Sequence, residues 1–176
     1  YDDVEVHGFY KDYVLDKKVM TYEEFLDGCN KEARDNNRTP IQWDDSVNAG
    51  FNKGAKPWLK INENYTTINA ASQINDENSI YNFYKKLLSL RKSDEYVNTF
   101  VYGKFNEVNP EIKNIFAYIR EDENHKVLVV TNMKDNHEKI NLDFKVNKTL
   151  LSNYNKEYDS LDITLAPFEA FVVEVK

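Results

Sequence analysis

The sequence predicts an α+β chain in which a helix- and loop-rich part, residues 1–99, precedes an antiparallel Greek-key β-sandwich, residues 100–176. Three observations predict it. The apolar period changes from helical to two near Phe100. One strong amphipathic helix lies just before that change. After it come short β-rich runs separated by polar turns, the spacing of a sandwich. With 176 residues and 41% hydrophobic content, the chain is long enough for a real core.

In chain order, Val4, Val6, Phe9, Tyr13, Val14 and Leu15 show no sustained period, so residues 1–20 read as an excursion rather than a core element. Thr21-Tyr22-Glu23-Glu24 has the form of a capping box. Tyr22, Phe25, Leu26 and Cys29 then recur at helical spacing, which predicts a short helix to about Ala33. That helix delivers Ala33-Arg34-Asp35-Asn36-Asn37-Arg38-Thr39-Pro40-Ile41-Gln42-Trp43-Asp44, where rigid hydrogen-bonding side chains crowd a stretch that is neither clear helix nor clear strand. Turn formers dominate from Asp44 to Asn64. Loops longer than about 15 residues are uncommon and usually functional or disordered. Phe51, Trp58, Leu59, Ile61, Tyr65 and Ile68 supply apolar surface to pin this one down.

Asp76 to Ser79 offer N-cap oxygens to the next helix, over 79–92. Ile80, Phe83, Tyr84, Leu87, Leu88 and Arg91 share one face, and Lys85, Lys86, Arg91 and Lys92 complement the C-terminal end of the helix dipole. Its apolar stripe must pack on something large. Strands are predicted over 114–120, 126–131, 139–144, 149–152, 161–165 and 169–175.

The net charge of −7, from 23 basic and 30 acidic residues, comes with no dense basic cluster, which excludes binding driven by nucleic-acid phosphates. A single cysteine, Cys29, cannot form an internal disulfide or a thiolate metal site and fits a reducing cytoplasm. No eighteen-residue apolar run or signal peptide is present, so no membrane role is expected. The chain begins at Tyr1 rather than Met, and reads as part of a longer protein. Aromatic residues reach 14%, a level typical of proteins that stack on sugar-like ligands, although Tyr also fills amphipathic positions in any sheet protein.

Arg34 and Arg38, four apart, carry planar forks suited to carboxylates or vicinal hydroxyls. Both fit a solvent-facing helix surface with Asp35 between them. If the chain leaves the helix at Asn36, before Thr39-Pro40, at least one points into a pocket. Asp44 and Asp45 are adjacent, whereas a retaining glycosidase needs two carboxyl groups about 5 Å apart across a substrate, so loop capping is the expected role. Trp43 and Trp58 read as loop anchors, with sugar stacking as the alternative. His7, His125 and His137 lack metal-ligand spacing and read as surface residues; no metal or cofactor is expected.

The run Arg34 to Asp44, with Asn48-Ala49-Gly50-Phe51 and Pro57-Trp58 after it, resembles the region that follows the catalytic residues in the α-amylase superfamily of glycoside hydrolases. The branch is that of oligo-1,6-glucosidases, dextran glucosidases and trehalose-6-phosphate hydrolases. Asn64 to Asn69, Ser79 to Lys92, Val101-Tyr102-Gly103 and Leu165-Ala166-Pro167-Phe168-Glu169-Ala170 extend the resemblance along the chain; Ile41 stands where this branch usually has Met. The resemblance implies the tail of a (β/α)8 barrel, comprising a loop over the barrel mouth and the last barrel helix, followed by the sandwich. It implies retaining hydrolysis by an Asp nucleophile and a Glu acid/base, which lie upstream of this chain, so no catalytic residue is assigned here. It also implies that an arginine of the Arg-Asp-x-x-Arg segment holds hydroxyls of the non-reducing terminal glucose, Arg34 first and Arg38 second. The partner is then an α-glucoside oligosaccharide bound by the full-length protein, and the isolated chain is expected to be inactive and to self-associate through helix 79–92. A free-standing carbohydrate-binding sandwich is the alternative.

Overall fold

The first twenty residues are helical, contrary to the expectation of an excursion: α1 (Val4–Phe9) runs on into a π-helical turn, Tyr10–Asp16. Asp3 caps α1 by accepting the Glu5 amide at 2.9 Å. Val6, Tyr10 and Val14, four residues apart on this wider helix, form the stripe that packs against Phe25, Cys29 and Ala33. Phe9 and Tyr13, by contrast, stack on each other with centroids 5.1 Å apart. α2 (Tyr22–Glu32) starts at the expected capping box, in which Thr21 and Glu24 bond reciprocally. Residues 1–108 and 111–176 are described by this computed structural model, and they form two compact units, Tyr1–Asp76 and Glu77–Lys176.

In the first unit the long loop is held mainly by hydrogen bonds rather than by the burial of aromatic residues expected from its composition. Phe51, Trp58 and Ile68 are exposed. Gln42 and Trp43 act as a spine: their carbonyls accept the amides of Ala70 and Ala71 at 2.9 Å each, and the Trp43 amide donates to the Ala49 carbonyl at 2.8 Å. The Gln42 side chain adds bonds to Asn64 and to the Ile68 carbonyl. Asn48, Ala49 and Gly50 are all left-handed, and a Cβ on Gly50 would meet the Asp44 carboxylate at 2.5 Å, so glycine is required there. Asn69 caps the short α3 (Ala70–Ile74) by accepting the Ser72 amide.

The second unit opens with α4 (Ile80–Arg91), capped by Ser79. Its strands are β1 (Lys104–Glu107), β2 (Ile115–Glu121), β3 (Lys126–Asn132), β4 (Glu138–Asn141), β5 (Val146–Ser152), β6 (Asp162–Leu165) and β7 (Ala170–Val175). All pairings are antiparallel, in a five-stranded sheet ordered β1-β2-β3-β7-β5 and a two-stranded sheet, β4-β6. The six predicted strands all form. β1 was not anticipated, because its four exposed residues show no alternation; it is placed by pairing with β2 and by Phe105 stacking on Tyr118 at 5.1 Å.

Between the two sheets lies the main core, built from Ile119, Leu128, Val130, Ile140, Leu165, Phe171, Val173 and their neighbours. The opposite face of the larger sheet carries Val127 and Val172, covered by Tyr96, Leu90 and Phe100. The stripe of α4 therefore divides. Leu90 joins this cluster and Phe83 and Leu87 are half-buried, while Ile80, Tyr84 and Leu88 face outward, because α4 only partly covers the sheet and leaves a cleft of about 660 Å³. His125 is not a surface residue: its Nδ1 is 3.4 Å from Glu174 Oε2, and its ring lies 4.7 Å from that of Tyr96. His7 and His137 are exposed.

Candidate functional site

Arg34 and Arg38 leave α2 on a 3₁₀ turn, Arg34–Asn37, which breaks the helical i, i+4 relation and turns both guanidinium groups toward the start of the chain. There they meet Asp3, which the sequence reading passed over. Its side chain is only 3% exposed, and it accepts Arg34 Nε at 2.7 Å on Oδ2 and Arg34 Nη2 at 2.8 Å on Oδ1, a bidentate pair. Arg38 Nη1 reaches the same Oδ2 at 3.3 Å. Asp35, equally buried, binds backbone rather than arginine: its Oδ2 accepts the amides of Asp2 at 2.7 Å and Asp3 at 3.0 Å. Asp35 Oδ1 lies 3.6 Å from Arg38 Nη1, beyond hydrogen-bond reach. Two carboxylates and two guanidinium groups thus balance in charge, as burial of the acids demands.

The two arginines are not equivalent. Arg34 spends Nε and Nη2 on Asp3, with Glu5 Oε1 a further 3.1 Å from Nη2. Arg38 commits only Nη1; its Nε and Nη2 have no hydrogen-bond partner among the described residues. Arg38 is therefore the arginine with an open, two-donor edge.

Hydrogen bonds from Arg34, with the Glu5 amide, hold the Asp3 carboxyl at about 2, and the same pairing raises Arg34. Since an unfolded Asp titrates near 3.9, ionised Asp3 contributes its full stabilisation above about pH 4 and loses it as pH falls through about 2. A carboxyl-carbon titration should place the Asp3 midpoint near 2. A midpoint near 4 would show that Arg34 does not hold it.

The remaining candidates fall into place around this cluster or away from it. The Trp58 indole N–H donates to Asp2 Oδ2 at 2.8 Å while the ring stays 68% exposed, so Trp58 is tied at its edge with an open face. Asp44 accepts both the amide and the hydroxyl of Ser46, a loop cap whose carboxyl is lowered by those bonds. Cys29 is buried and its thiol is pushed up by that burial. Among the described residues, no group of three or more His, Cys, Asp or Glu side chains is placed to hold a metal, and no helix is long and apolar enough to cross a membrane. Asp3 did leave a sequence signal, an Asp followed by Glu5 in the first turn of a helix, but its pairing across 31 residues did not.

Residues 2–100 match the family model described as alpha amylase, catalytic domain, and residues 115–172 match the alpha-amylase SusG C-terminal domain. An oligo-1,6-glucosidase of Heyndrickxia coagulans is 37% identical over 98% of this chain and 30% of its own length. An alpha-glucosidase of Schizosaccharomyces pombe is 38% identical over 99% of this chain and 31% of its own. The crystal structure of isomaltulose synthase from Klebsiella sp. superposes with a TM-score of 0.92 at 37% identity, covering 100% of this chain and 32% of that one. The fold and these matches define the class: the tail of a glycosidase catalytic domain followed by an antiparallel C-terminal domain. The chain belongs to the α-amylase family, and spans 30% to 32% of the length of these relatives.

Proposed function

We propose that this chain is the C-terminal part of a cytoplasmic α-glucosidase that hydrolyses α-1,6-linked or related short α-glucosides from the non-reducing end with retention. The observation that carries the site assignment is the open Nε–Nη2 edge of Arg38 beside an Arg34 whose own Nε–Nη2 edge is taken by Asp3. A planar two-donor edge matches a pair of vicinal sugar hydroxyls. This favours Arg38 as the sugar contact and gives Arg34 a supporting part, the reverse of the order expected from sequence. The boundary between catalytic tail and C-terminal domain is proposed near residue 99, in keeping with the catalytic-domain match that ends at residue 100. That match also counts against a free-standing binding module.

Retaining hydrolysis needs two carboxyl groups facing one another across the substrate. Asp3 and Asp35 are committed to arginines and backbone amides, and Asp44 to its own loop, so the catalytic acids are assigned to residues outside this chain. The outward residues Ile80, Tyr84 and Leu88 support self-association of the isolated chain through α4.

The test is to incubate the full-length protein and the isolated 176 residues with isomaltose, p-nitrophenyl α-glucoside and sucrose. The full-length protein should release α-glucose from isomaltose and the isolated chain should release none. Turnover by the isolated chain overturns the assignment of the catalytic acids. The similarity to an isomaltulose synthase favours a second reading, sucrose isomerisation, which the product formed from sucrose distinguishes from hydrolysis.

A further inference from the structure

Between the catalytic-domain match, which ends at residue 100, and the strands that follow, the chain is folded rather than a linker. Linkers between domains are exposed, rich in Gly, Pro or polar residues, and crossed by few contacts. Here α4 passes into the next segment through unbroken turns. The Ser93 amide and hydroxyl donate to the Leu90 carbonyl, the amides of Tyr96 and Val97 donate to the Ser93 carbonyl, and the Phe100 amide donates to the Tyr96 carbonyl at 2.9 Å. Within it Tyr96 and Thr99 are buried. We infer that residues 93–103 are a folded strap that makes α4 and the larger sheet one rigid body, with no hinge at the boundary near residue 99. This goes beyond the glucosidase reading and does not depend on it.

The strap is pinned from β2, from β7 and from the turn between β2 and β3. Register sets Val127 opposite Glu174 and Val129 opposite Val172, so these four share the outer face of the sheet. Tyr96 covers that face. Its ring packs with Val127 and Val172, its hydroxyl donates to Glu174 Oε2 at 2.7 Å, and the His125 ring lies 4.7 Å from it. Three residues on, the Thr99 hydroxyl donates to Asp122 Oδ2 at 2.8 Å, and the Thr99 carbonyl accepts Arg120 Nε at 3.4 Å. Asp122 is itself fixed, because its Oδ1 accepts the amides of Asn124 and His125 at 2.8 Å each. At the end of the strap the Gly103 backbone lies so close to β2 that a Cβ would collide with the carbonyl oxygens of Thr99 and Glu121. The other end of α4 is tied as well, since Asn155, between β5 and β6, donates to Asn78 Oδ1 at 2.9 Å. Each tie is a bond made or a ring packed within one compact unit, Glu77–Lys176. Lifting the strap would expose Val127 and Val172 to water and take the hydroxyl donor from Glu174, so it opens only when the sheet does.

Hydrogen exchange on the full-length protein, read by mass spectrometry, tests this. In the wild type, peptides from residues 93–103 and from β3 and β7 should be protected to within about tenfold of one another. Tyr96→Phe keeps the ring and deletes only the bond to the Glu174 carboxylate, and it should speed exchange about tenfold in the strap and in both strands alike. Gly103→Ala leaves every buried side chain in place and should move the same peptides together, through the close backbone approach. Strap peptides that exchange more than about 100-fold faster than β3 in the wild type overturn the inference, because the strap then opens alone as a hinge. A Tyr96→Phe effect confined to the strap, or absent from strap and strands, overturns it too. The measurement reads no turnover, so its failure leaves the glucosidase reading standing, and inactivity of the full-length protein on α-glucosides leaves the strap standing.

Discussion

Under the α-glucosidase function proposed above, Arg38→Ala in the full-length protein should reduce kcat/KM for isomaltose about 100-fold without a comparable fall in melting temperature. The magnitude follows from two charge-assisted hydrogen bonds to hydroxyls, each worth about 1.5–3 kcal/mol, discounted to about 3 kcal/mol in total because the guanidinium is partly solvated when no sugar is bound. The small effect on stability follows from the contacts Arg38 makes within the protein, at 3.3 and 3.6 Å, against 2.7 and 2.8 Å for Arg34. Removing Arg38 leaves Asp3 with its bidentate partner; removing Arg34 leaves a buried carboxylate with the Glu5 amide and one longer contact to a cation, Arg38. Arg34→Ala should therefore lower the melting temperature more than Arg38→Ala does. Arg38→Lys should recover little activity, because an ammonium offers a point charge rather than a planar two-donor edge. Steady-state kinetics and thermal melting on the three variants separate the two roles. Equal kinetic losses with equal melting shifts for Arg34→Ala and Arg38→Ala would show that the arginines form one structural unit without a dedicated sugar contact.

What the sequence disclosed and what it concealed divide along contact range. Thr21 with Glu24 and Ser79 before Ile80 announce their helices because capping is local, and α2 and α4 begin where those residues stand. The strands announce themselves through alternation wherever one face is buried, as in β2, and through apolar runs where both faces are, as in β3 and β7. The helices at the start were concealed because Val6, Tyr10 and Val14 recur at i, i+4 spacing among further apolar residues, Val4, Phe9 and Leu15, that stay exposed and blur the stripe. β1 was concealed because an exposed edge strand has no periodicity to read. The arginine segment was legible as a candidate site by its density of planar and charged side chains, but its tie to Asp3 was not, because no local pattern encodes a pairing across the 31 residues from Asp3 to Arg34.

Glu169→Ala should be among the most destabilising substitutions in the second unit, by about 3 kcal/mol, because it removes a buried charge that three donors depend on. Glu169 Oε1 accepts Lys156 Nζ at 2.8 Å and the Tyr158 hydroxyl at 2.6 Å, and Oε2 accepts the Ala166 amide at 2.6 Å. Tyr158 stacks on Phe171 of the main core with centroids 4.0 Å apart, so the loss is transmitted to the packing between the sheets. Lys156, about half exposed, can turn to solvent; the hydroxyl and the amide cannot, which keeps the figure near the lower end of the usual 3–5 kcal/mol. The segment Leu165 to Ala170 is the turn from β6 to β7, where the chain crosses between sheets, and Phe168 is left-handed within it. Asn132 holds the Ala166 carbonyl, Tyr154 the Pro167 carbonyl and Asn153 the Phe168 carbonyl, so Glu169 completes a set of ties fastening this crossing. Burial pushes the Glu169 carboxyl up, but the bonds from Lys156, Tyr158 and the Ala166 amide outweigh it and leave it below its ordinary value. Its stabilisation is therefore complete above the unfolded value of about 4.3 and declines as pH falls through the lower folded one. Urea melts of wild type and Glu169→Gln at pH 7 and pH 4 should show the gap between them narrowing at the lower pH. A gap that stays constant would mean that Glu169 acts by shape and hydrogen bonding alone, without its charge.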